Sequence, residues 1–260
     1  MEVWMESVKL KSSSEMPILG LGTWDLLGQA CVQAVKMALN LGYTHIDTAW
    51  MYENQGAIGD ALKEVGADRE RLFITSKVWN THLHFDGVLE QCEESLRDLQ
   101  TSYLDLFLIH WPNEAVPLDE TFRAMKQLSD EGKVQNVGVS NFSVNLLEES
   151  QSVSEVPITV NQIKYHPGEQ KRDVLKWCNE HRVAVTAYTP LGRGEILVEP
   201  TLVEIAERLS KTPGQVALRW LVQQGMVVIP KASSVGHLKE NMDVFDWFLS
   251  EVDMERVDKL

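Results

Sequence analysis

Two rhythms of apolar and polar positions alternate along this chain. Short apolar runs centre near Leu21, Ile46, Ile74, Leu108, Val137, Val160, Val185 and Val228. Their length and β-branched content predict strands buried on both faces. Between them lie stretches with apolar residues at helical intervals, over residues 29–41, 85–99, 118–131 and 173–181. In residues 85–99, for example, Val88, Cys92, Leu96 and Leu99 fall on one helical face. Ahead of the first run, residues 8–19 alternate, pass through Ser-Ser-Ser-Glu and resume at Met16-Pro17-Ile18, which predicts a short hairpin.

The strand centres are 23 to 34 residues apart, except for a last interval of 43. That interval holds two helical patterns, 201–209 and 213–223, with Thr212-Pro213 as the start signal of the second. One of the two is an addition to the regular repeat. Eight strands alternating with helices predict an α/β protein with a parallel sheet covered by helices. A closed (β/α)8 TIM barrel, with an N-terminal β-hairpin and two auxiliary helices, accounts for the number eight. An open doubly wound sheet would carry a glycine fingerprint after its first strand. Here Gly20-Leu21-Gly22 continues as Thr23-Trp24-Asp25, without the third glycine. No linker divides the chain, so one domain over residues 1–260 is expected.

In such barrels chemistry gathers at the carboxyl ends of the strands. The strand exits read Asp47, Lys77, His110-Trp111-Pro112, Ser140-Asn141, Asn161-Gln162, Tyr188-Thr189-Pro190-Leu191-Gly192 and Pro230-Lys231, with Tyr52 on the loop beyond Asp47. Taken singly, Asp47 suits a helix cap, Lys77 a surface lysine and His110 a core histidine. An acid, a phenol, an ammonium and an imidazole at one barrel mouth are not what packing requires. Together they suit proton delivery to a carbonyl oxygen. A phenol with an ordinary pKa of about 10 is a reluctant acid at neutral pH. The lysine is expected to pull that value down, the carboxylate to fix the lysine, and the histidine to hold the substrate oxygen. Neither a Gly-x-Ser-x-Gly elbow nor a Walker lysine motif is present, so acyl and phosphoryl transfer lack their equipment.

Composition narrows the partners. With 44% apolar residues a large core is available. The formal net charge of −14 disfavours nucleic acid and acidic membranes as partners, so an anionic ligand needs a local basic pocket. Three dispersed cysteines (Cys31, Cys92 and Cys178) argue for buried thiols in a reducing compartment. The N-terminus has no apolar run of signal-peptide length, and no run is long enough to cross a membrane, so a cytoplasmic protein is expected. His82 and His84 are the only close histidine pair, and no cysteine or acid is arranged around them to hold a metal.

The segments GYTHIDTAWMYENQ, FITSKVWN, YLDLFLIHWP, VGVSNF, NQIKYHP, AYTPLGRG and IPKAS…ENM stand in the order found in aldo-keto reductases. The chain resembles that family over nearly its whole length, and in particular the short prokaryotic-type 2,5-diketo-D-gluconate and aldehyde reductases. The resemblance implies a catalytic tetrad of Asp47, Tyr52, Lys77 and His110, with Tyr52 as proton donor. It implies a nicotinamide dinucleotide lying extended across the mouth, its C4 hydride passing to a small-molecule carbonyl substrate. Gly22, Thr23 and Trp24 fall in the first cofactor loop. Ser140, Asn141 and Gln162 match residues that bond the carboxamide, and Tyr188 the one that stacks on the ring. Thr189, Leu191 and Gly192 match the diphosphate turn, the first of these more often being serine. Lys231, Ala232, Ser233 and Ser234 match the adenosine-phosphate loop, and Glu240 and Asn241 the adenine end.

Two departures from the family pattern stand out. His237 occupies the place of an arginine that clamps the 2′-phosphate, so NADPH is expected to be preferred with NADH also used. The last helical pattern covers residues 251–260, and only LGRGEILVEP separates Tyr188 from the next helix. Short walls leave Trp24, Trp79 and Trp111 to line an open pocket, together with Tyr52 and His110. Broad activity on small aldehydes, ketones, dicarbonyls or sugar-derived carbonyls is therefore expected, from a monomer. The competing expectation is a regulatory subunit that keeps the fold and cofactor but not the catalysis; retention of all four tetrad residues weighs against it.

Overall fold

Each short apolar run becomes a strand that pairs with the next one in the chain. In the computed structural model, which describes residues 6–260, β1 (Ser7–Lys9) and β2 (Glu15–Pro17) form an antiparallel hairpin with Val8 opposite Met16. The portion of the signal-peptide expectation that falls on residues 1–5 lies outside the described residues. The parallel sheet runs in order through β3 (Leu21–Gly22), β4 (His45–Asp47), β5 (Phe73–Val78), β6 (Leu106–Ile109), β7 (Val137–Ser140), β8 (Ile158–Lys164), β9 (Ala184–Tyr188) and β10 (Val227–Val228).

Its two ends meet. The Val228 amide donates to Ile18 O at 2.8 Å, the Gly20 amide to Val228 O at 2.9 Å and the Gly22 amide to Pro230 O at 3.3 Å, which closes the barrel as expected. The seam is tight: a Cβ on Gly22 would lie 2.4 Å from Ile229 O, so only glycine lets the first and last strands approach this closely.

Around the sheet stand α1 (Gly28–Leu41), α2 (Gln55–Glu64), α3 (Phe85–Asp98), α4 (Leu118–Asp130), α5 (Val144–Val153), α6 (Arg172–Glu180), α7 (Pro200–Leu209), α8 (Pro213–Gln223), α9 (Val235–Met242) and α10 (Glu251–Val257). Local chemistry sets their ends. Gly42, at φ 100°, turns α1 off and returns its amide to the Ala38 and Leu39 carbonyls. Thr212 and Gln215 form a reciprocal capping box with Pro213 in the first turn, which starts α8 where the sequence signals it. The two helices outside the strict alternation are α7 and α10. They pack on each other and are tied by Arg256–Glu204 at 2.6 Å.

The barrel interior is layered. Alternate residues of a strand share a side, so His45 and Asp47 of β4 face Thr75 and Lys77 of β5. His45 Nε2 is 3.2 Å from Thr75 Oγ1, and one layer higher Lys77 bonds Asp47. The three cysteines are unpaired and buried. Among the described residues no helix is long and apolar enough to cross a membrane, and no group of three or more histidines, cysteines or acids is placed to hold a metal ion.

Candidate active site

The β4–β5 register sets Asp47 opposite Thr75, and Lys77, two residues further along the same side of β5, reaches the acid. Lys77 has no exposed surface, and its ammonium donates to Asp47 Oδ1 at 2.6 Å, to the Thr48 carbonyl at 2.7 Å and to Tyr52 Oη at 3.3 Å. All three of its protons are thereby placed. The second carboxylate oxygen of Asp47 accepts from Gln162 Nε2 at 2.7 Å. Tyr52 arrives from the short 3-10 turn Trp50–Tyr52 that follows β4. The bend is held from below: Thr48 Oγ1 donates to Asn54 Oδ1 at 2.7 Å, and Asn54 Nδ2 donates to the carbonyls of Thr23 and Leu26 at 2.8 and 3.0 Å. Asn54 therefore ties the loop carrying Tyr52 to the loop after β3. Nothing in the sequence pattern marks it, because a buried asparagine reads there as an ordinary loop residue.

His110, at the exit of β6, stands edge-to-face with Tyr52 at 5.5 Å and with Trp79 at 5.1 Å between ring centroids. Its Nδ1 is buried without a partner. Burial first, and the Lys77 charge second, push its pKa down to about 3, so the imidazole is neutral at physiological pH. Burial opposes the Lys77 ammonium, but the Asp47 carboxylate and the Tyr52 oxygen outweigh it and hold the lysine above its ordinary value.

For Tyr52 the expectation is reversed. Burial dominates and raises its pKa, while Lys77 pulls the other way without overcoming it. The spacing of the motifs showed that a lysine would be near, but not how dry the phenol would be.

A cleft of about 900 Å³ opens above this group, at the upper end of the range for small-molecule sites. It is lined by Gly22, Thr23, Trp24, Asp47, Tyr52, Trp79, His110, Trp111, Ser140, Asn141, Gln162, Tyr188, Thr189, Leu191, Lys231 and His237, so the structure brings most of the expected site residues together. Lys77 lies beneath it. Trp24 and Trp111 are 49% and 42% exposed, which no core role explains. Asn141, in the left-handed region at φ 65°, donates to the His110 carbonyl and to Ser140 Oγ, both at 3.0 Å, and accepts from the Tyr188 hydroxyl at 2.9 Å.

Six expected cofactor residues do not line the cleft. Gly192, Ala232, Ser233 and Ser234 lie behind or beside it, and Ser234 caps α9 by accepting from the His237 amide. Glu240 accepts from the Thr212 hydroxyl, which ties α9 to the start of α8, and Asn241 is buried in α9. Conversely, Asp25, Met51, Arg193, Gly194 and Leu197 line the cleft and were not singled out from the sequence. The signal for Arg193 lay in plain sight, as an arginine between two glycines just past the Tyr188 exit.

The donor set fits a nicotinamide dinucleotide. Tyr188 offers an aromatic face, Ser140, Asn141 and Gln162 offer amide-bonding groups, and Arg193, Lys231 and His237 put positive or proton-accepting groups along the same cleft. A phenol backed by a buried ammonium, beside a neutral imidazole, is equipped to protonate an oxygen that gains negative charge.

Residues 18–260 match the sequence profile described as the Aldo/keto reductase family. A glyoxal reductase from Bacillus subtilis is 41% identical over 256 residues, which covers 98% of this chain and 92% of the relative. A 9,11-endoperoxide prostaglandin H2 reductase from Trypanosoma cruzi is 40% identical over 257 residues, covering 97% and 90% respectively. Among solved structures, an aldo/keto reductase from Brucella melitensis superposes with a TM-score of 0.94 at 38% identity, covering 98% of this chain and 99% of that one.

Proposed function

The chain belongs to the aldo/keto reductase family of NAD(P)H-dependent, carbonyl-reducing oxidoreductases, and from that premise we propose that it reduces small aldehydes, ketones and dicarbonyls to alcohols with NADPH, Tyr52 giving the proton. One observation carries this reading: the Lys77 ammonium, bonded to Asp47, lies 3.3 Å from Tyr52 Oη at the floor of a cleft open to solvent. When bound, a reduced nicotinamide supplies the hydride. Everything else falls to side chains of this protein.

Tyr52 holds its proton firmly in the resting site, because burial raises its pKa. The demand for that proton arises only as the substrate oxygen becomes an alkoxide, a far stronger base than the carbonyl it replaces. The phenolate left behind is then stabilised by Lys77, whose position is fixed by Asp47 and the Thr48 carbonyl. His110, neutral at physiological pH, has a ring nitrogen with which to bond the same oxygen without competing to protonate it. The carbon gains a hydride and the oxygen a proton, which balances as carbonyl to alcohol. Trp24, Trp79 and Trp111 give the substrate apolar walls, and their exposure favours small, varied carbonyls over one bulky ligand.

Lys231 and His237 line the cleft and match family positions that meet a 2′-phosphate, which supports NADPH; an imidazole in place of a guanidinium leaves room for NADH. Cytoplasmic location, a single domain and a monomer complete the reading. The test is NADPH oxidation with glyoxal, methylglyoxal, benzaldehyde and a sugar aldehyde, repeated with NADH and with the Tyr52→Phe variant. Reduction should fall at least a hundredfold in the variant with dinucleotide binding retained. Undiminished turnover by Tyr52→Phe would remove Tyr52 as the proton donor.

A further inference from the structure

The peptide that joins Val78 to Trp79, at the end of β5, is held from both sides. Its carbonyl accepts from the His110 amide at 3.0 Å. Its N–H donates to Oε1 of Gln91, a residue of α3, at 2.7 Å. A trans peptide is planar, with its N–H and C=O directed oppositely, so fixing one fixes the other. Gln91 thereby sets the plane that receives the His110 backbone. The same peptide leads into Trp79, whose ring stands edge-to-face with the His110 imidazole, 5.1 Å between centroids at an interplanar angle of 78°.

Packing alone does not call for a glutamine at this place. Gln91 is 1% exposed and lies on the inner face of α3 with Val88, Cys92, Ser95 and Leu96. Its Nε2 is buried with no hydrogen-bond partner. Only the oxygen of an amide side chain accepts, so turning the group over would set two donors face to face. An apolar residue would fill the position without stranding a buried donor, but would leave the Trp79 N–H without its acceptor. The bond to the Val78–Trp79 peptide is what a glutamine adds.

His110 is a side chain in need of such support. Its Nδ1 is buried without a partner, so no hydrogen bond at that nitrogen orients the ring. Two aromatic rings stand against it instead, those of Tyr52 and Trp79. A group that must meet a substrate oxygen is precise only when its neighbours are themselves locked.

We propose that Gln91 is a positioning residue for His110, acting through the Val78–Trp79 peptide on both the backbone and the ring of the histidine. Gln91 itself does not line the cleft. Given the carbonyl-reducing reading above, on which this assignment rests, loosening that peptide lets the imidazole stray from the substrate oxygen. The groups that would meet the dinucleotide stay where they are.

The test compares the parent, Gln91→Leu and Gln91→Glu proteins by kcat/KM for methylglyoxal and benzaldehyde, by calorimetric Kd for NADPH and by Tm. Gln91→Leu is repeated in a His110→Ala background. Alone, Gln91→Leu should lower kcat/KM about ten- to a hundredfold. Its Kd for NADPH should stay within about twofold and its Tm within about 3 °C, because removing the stranded Nε2 offsets the lost acceptor. Gln91→Glu, which keeps an oxygen at the Trp79 amide, should recover most of the activity. In the His110→Ala background Gln91→Leu should cost nothing further, since the group it positions is gone. Unchanged kcat/KM in Gln91→Leu overturns the proposal. So does a loss by the same factor in both backgrounds, which would make Gln91 a packing residue, or a loss that appears in the Kd for NADPH instead. A parent protein that reduces no carbonyl defeats the underlying functional reading as well, which separates the two failures.

Discussion

Replacing Lys77 by methionine tests whether the ion pair at the floor of the cleft is as dry as its geometry implies. Both members are almost wholly inaccessible, and the ammonium serves three acceptors at 2.6, 2.7 and 3.3 Å. Methionine fills much of the volume but leaves the Asp47 carboxylate buried with the Gln162 amide as its remaining side-chain donor. Removing one partner of such a pair costs about 3–5 kcal/mol, most of it from the charge left behind. For a chain of this size that corresponds to a fall in Tm of roughly 6–20 °C. The double variant Asp47→Asn/Lys77→Met removes the stranded charge and should recover about half of the loss, so the coupling in a double-mutant cycle should be at least about 2 kcal/mol. Urea unfolding of the four proteins, read by tryptophan fluorescence, supplies the numbers. Strict additivity, or a Lys77→Met protein as stable as its parent, would mean that water reaches the pair and that Lys77 does not tune Tyr52 from a low-dielectric site.

Other outcomes follow from the same geometry. Burial drives the pKa of His45 down to about 4 and that of His110 down to about 3, so the unfolded chain takes up protons below about pH 6.5 that the folded one refuses. Each histidine should therefore cost about 2 kcal/mol of stability between pH 8 and pH 5; a His45→Gln variant should show a shallower acid slope, and an identical slope would refute the assignment. At the alkaline end, burial keeps Tyr52 protonated and Asp47 keeps Lys77 charged above their ordinary values, so stability should decline above about pH 10 as the unfolded chain loses both protons first. Asn54→Ala cuts the tie between two loops and should lower kcat more than it raises the Kd for NADPH, at a stability cost of about 1–3 kcal/mol; an equal effect on both constants would argue against a positioning role. Thr189 is β-branched at φ 51°, so Thr189→Asn should raise the urea midpoint by the equivalent of about 1 kcal/mol, and a lower midpoint would show that its strain is compensated locally.

Much of this arrangement was legible in the chain itself. The strand centres all fall in or next to the observed strands, because parallel strands buried on both faces leave unbroken apolar runs. The grouping of Asp47, Tyr52, Lys77 and His110 was legible because polar residues at strand exits have no packing reason to be there. Properties that depend on depth and on cross-loop contacts were not. The direction of the Tyr52 shift depends on how much water is excluded, which no motif spacing states. The contact of Glu240 with the Thr212 hydroxyl, 28 positions back in the chain, is likewise not stated by any motif. The Gly-Arg-Gly signal at Arg193 was readable, but its contact with Trp24, on a loop near the other end of the chain, was not.

The seam between the first and last strands has a bearing on the order in which the protein becomes an enzyme. Asp47, Tyr52, Lys77 and His110 all come from three neighbouring strands or their loops, within residues 47–110, and their mutual bonds do not cross the seam. The cleft does cross it, because Trp24 and Asp25 from the start of the barrel meet Lys231 from its end, next to the Gly22–Pro230 backbone bond. Contacts separated by some 200 residues form slowly in folding because so much chain must be looped to reach them. The Asp47–Lys77–Tyr52 cluster is thus assembled from local sequence, and the cleft waits on the final stitch. During refolding, dinucleotide binding should appear in step with the slowest phase, later than the protection of the amides in β4, β5 and β6.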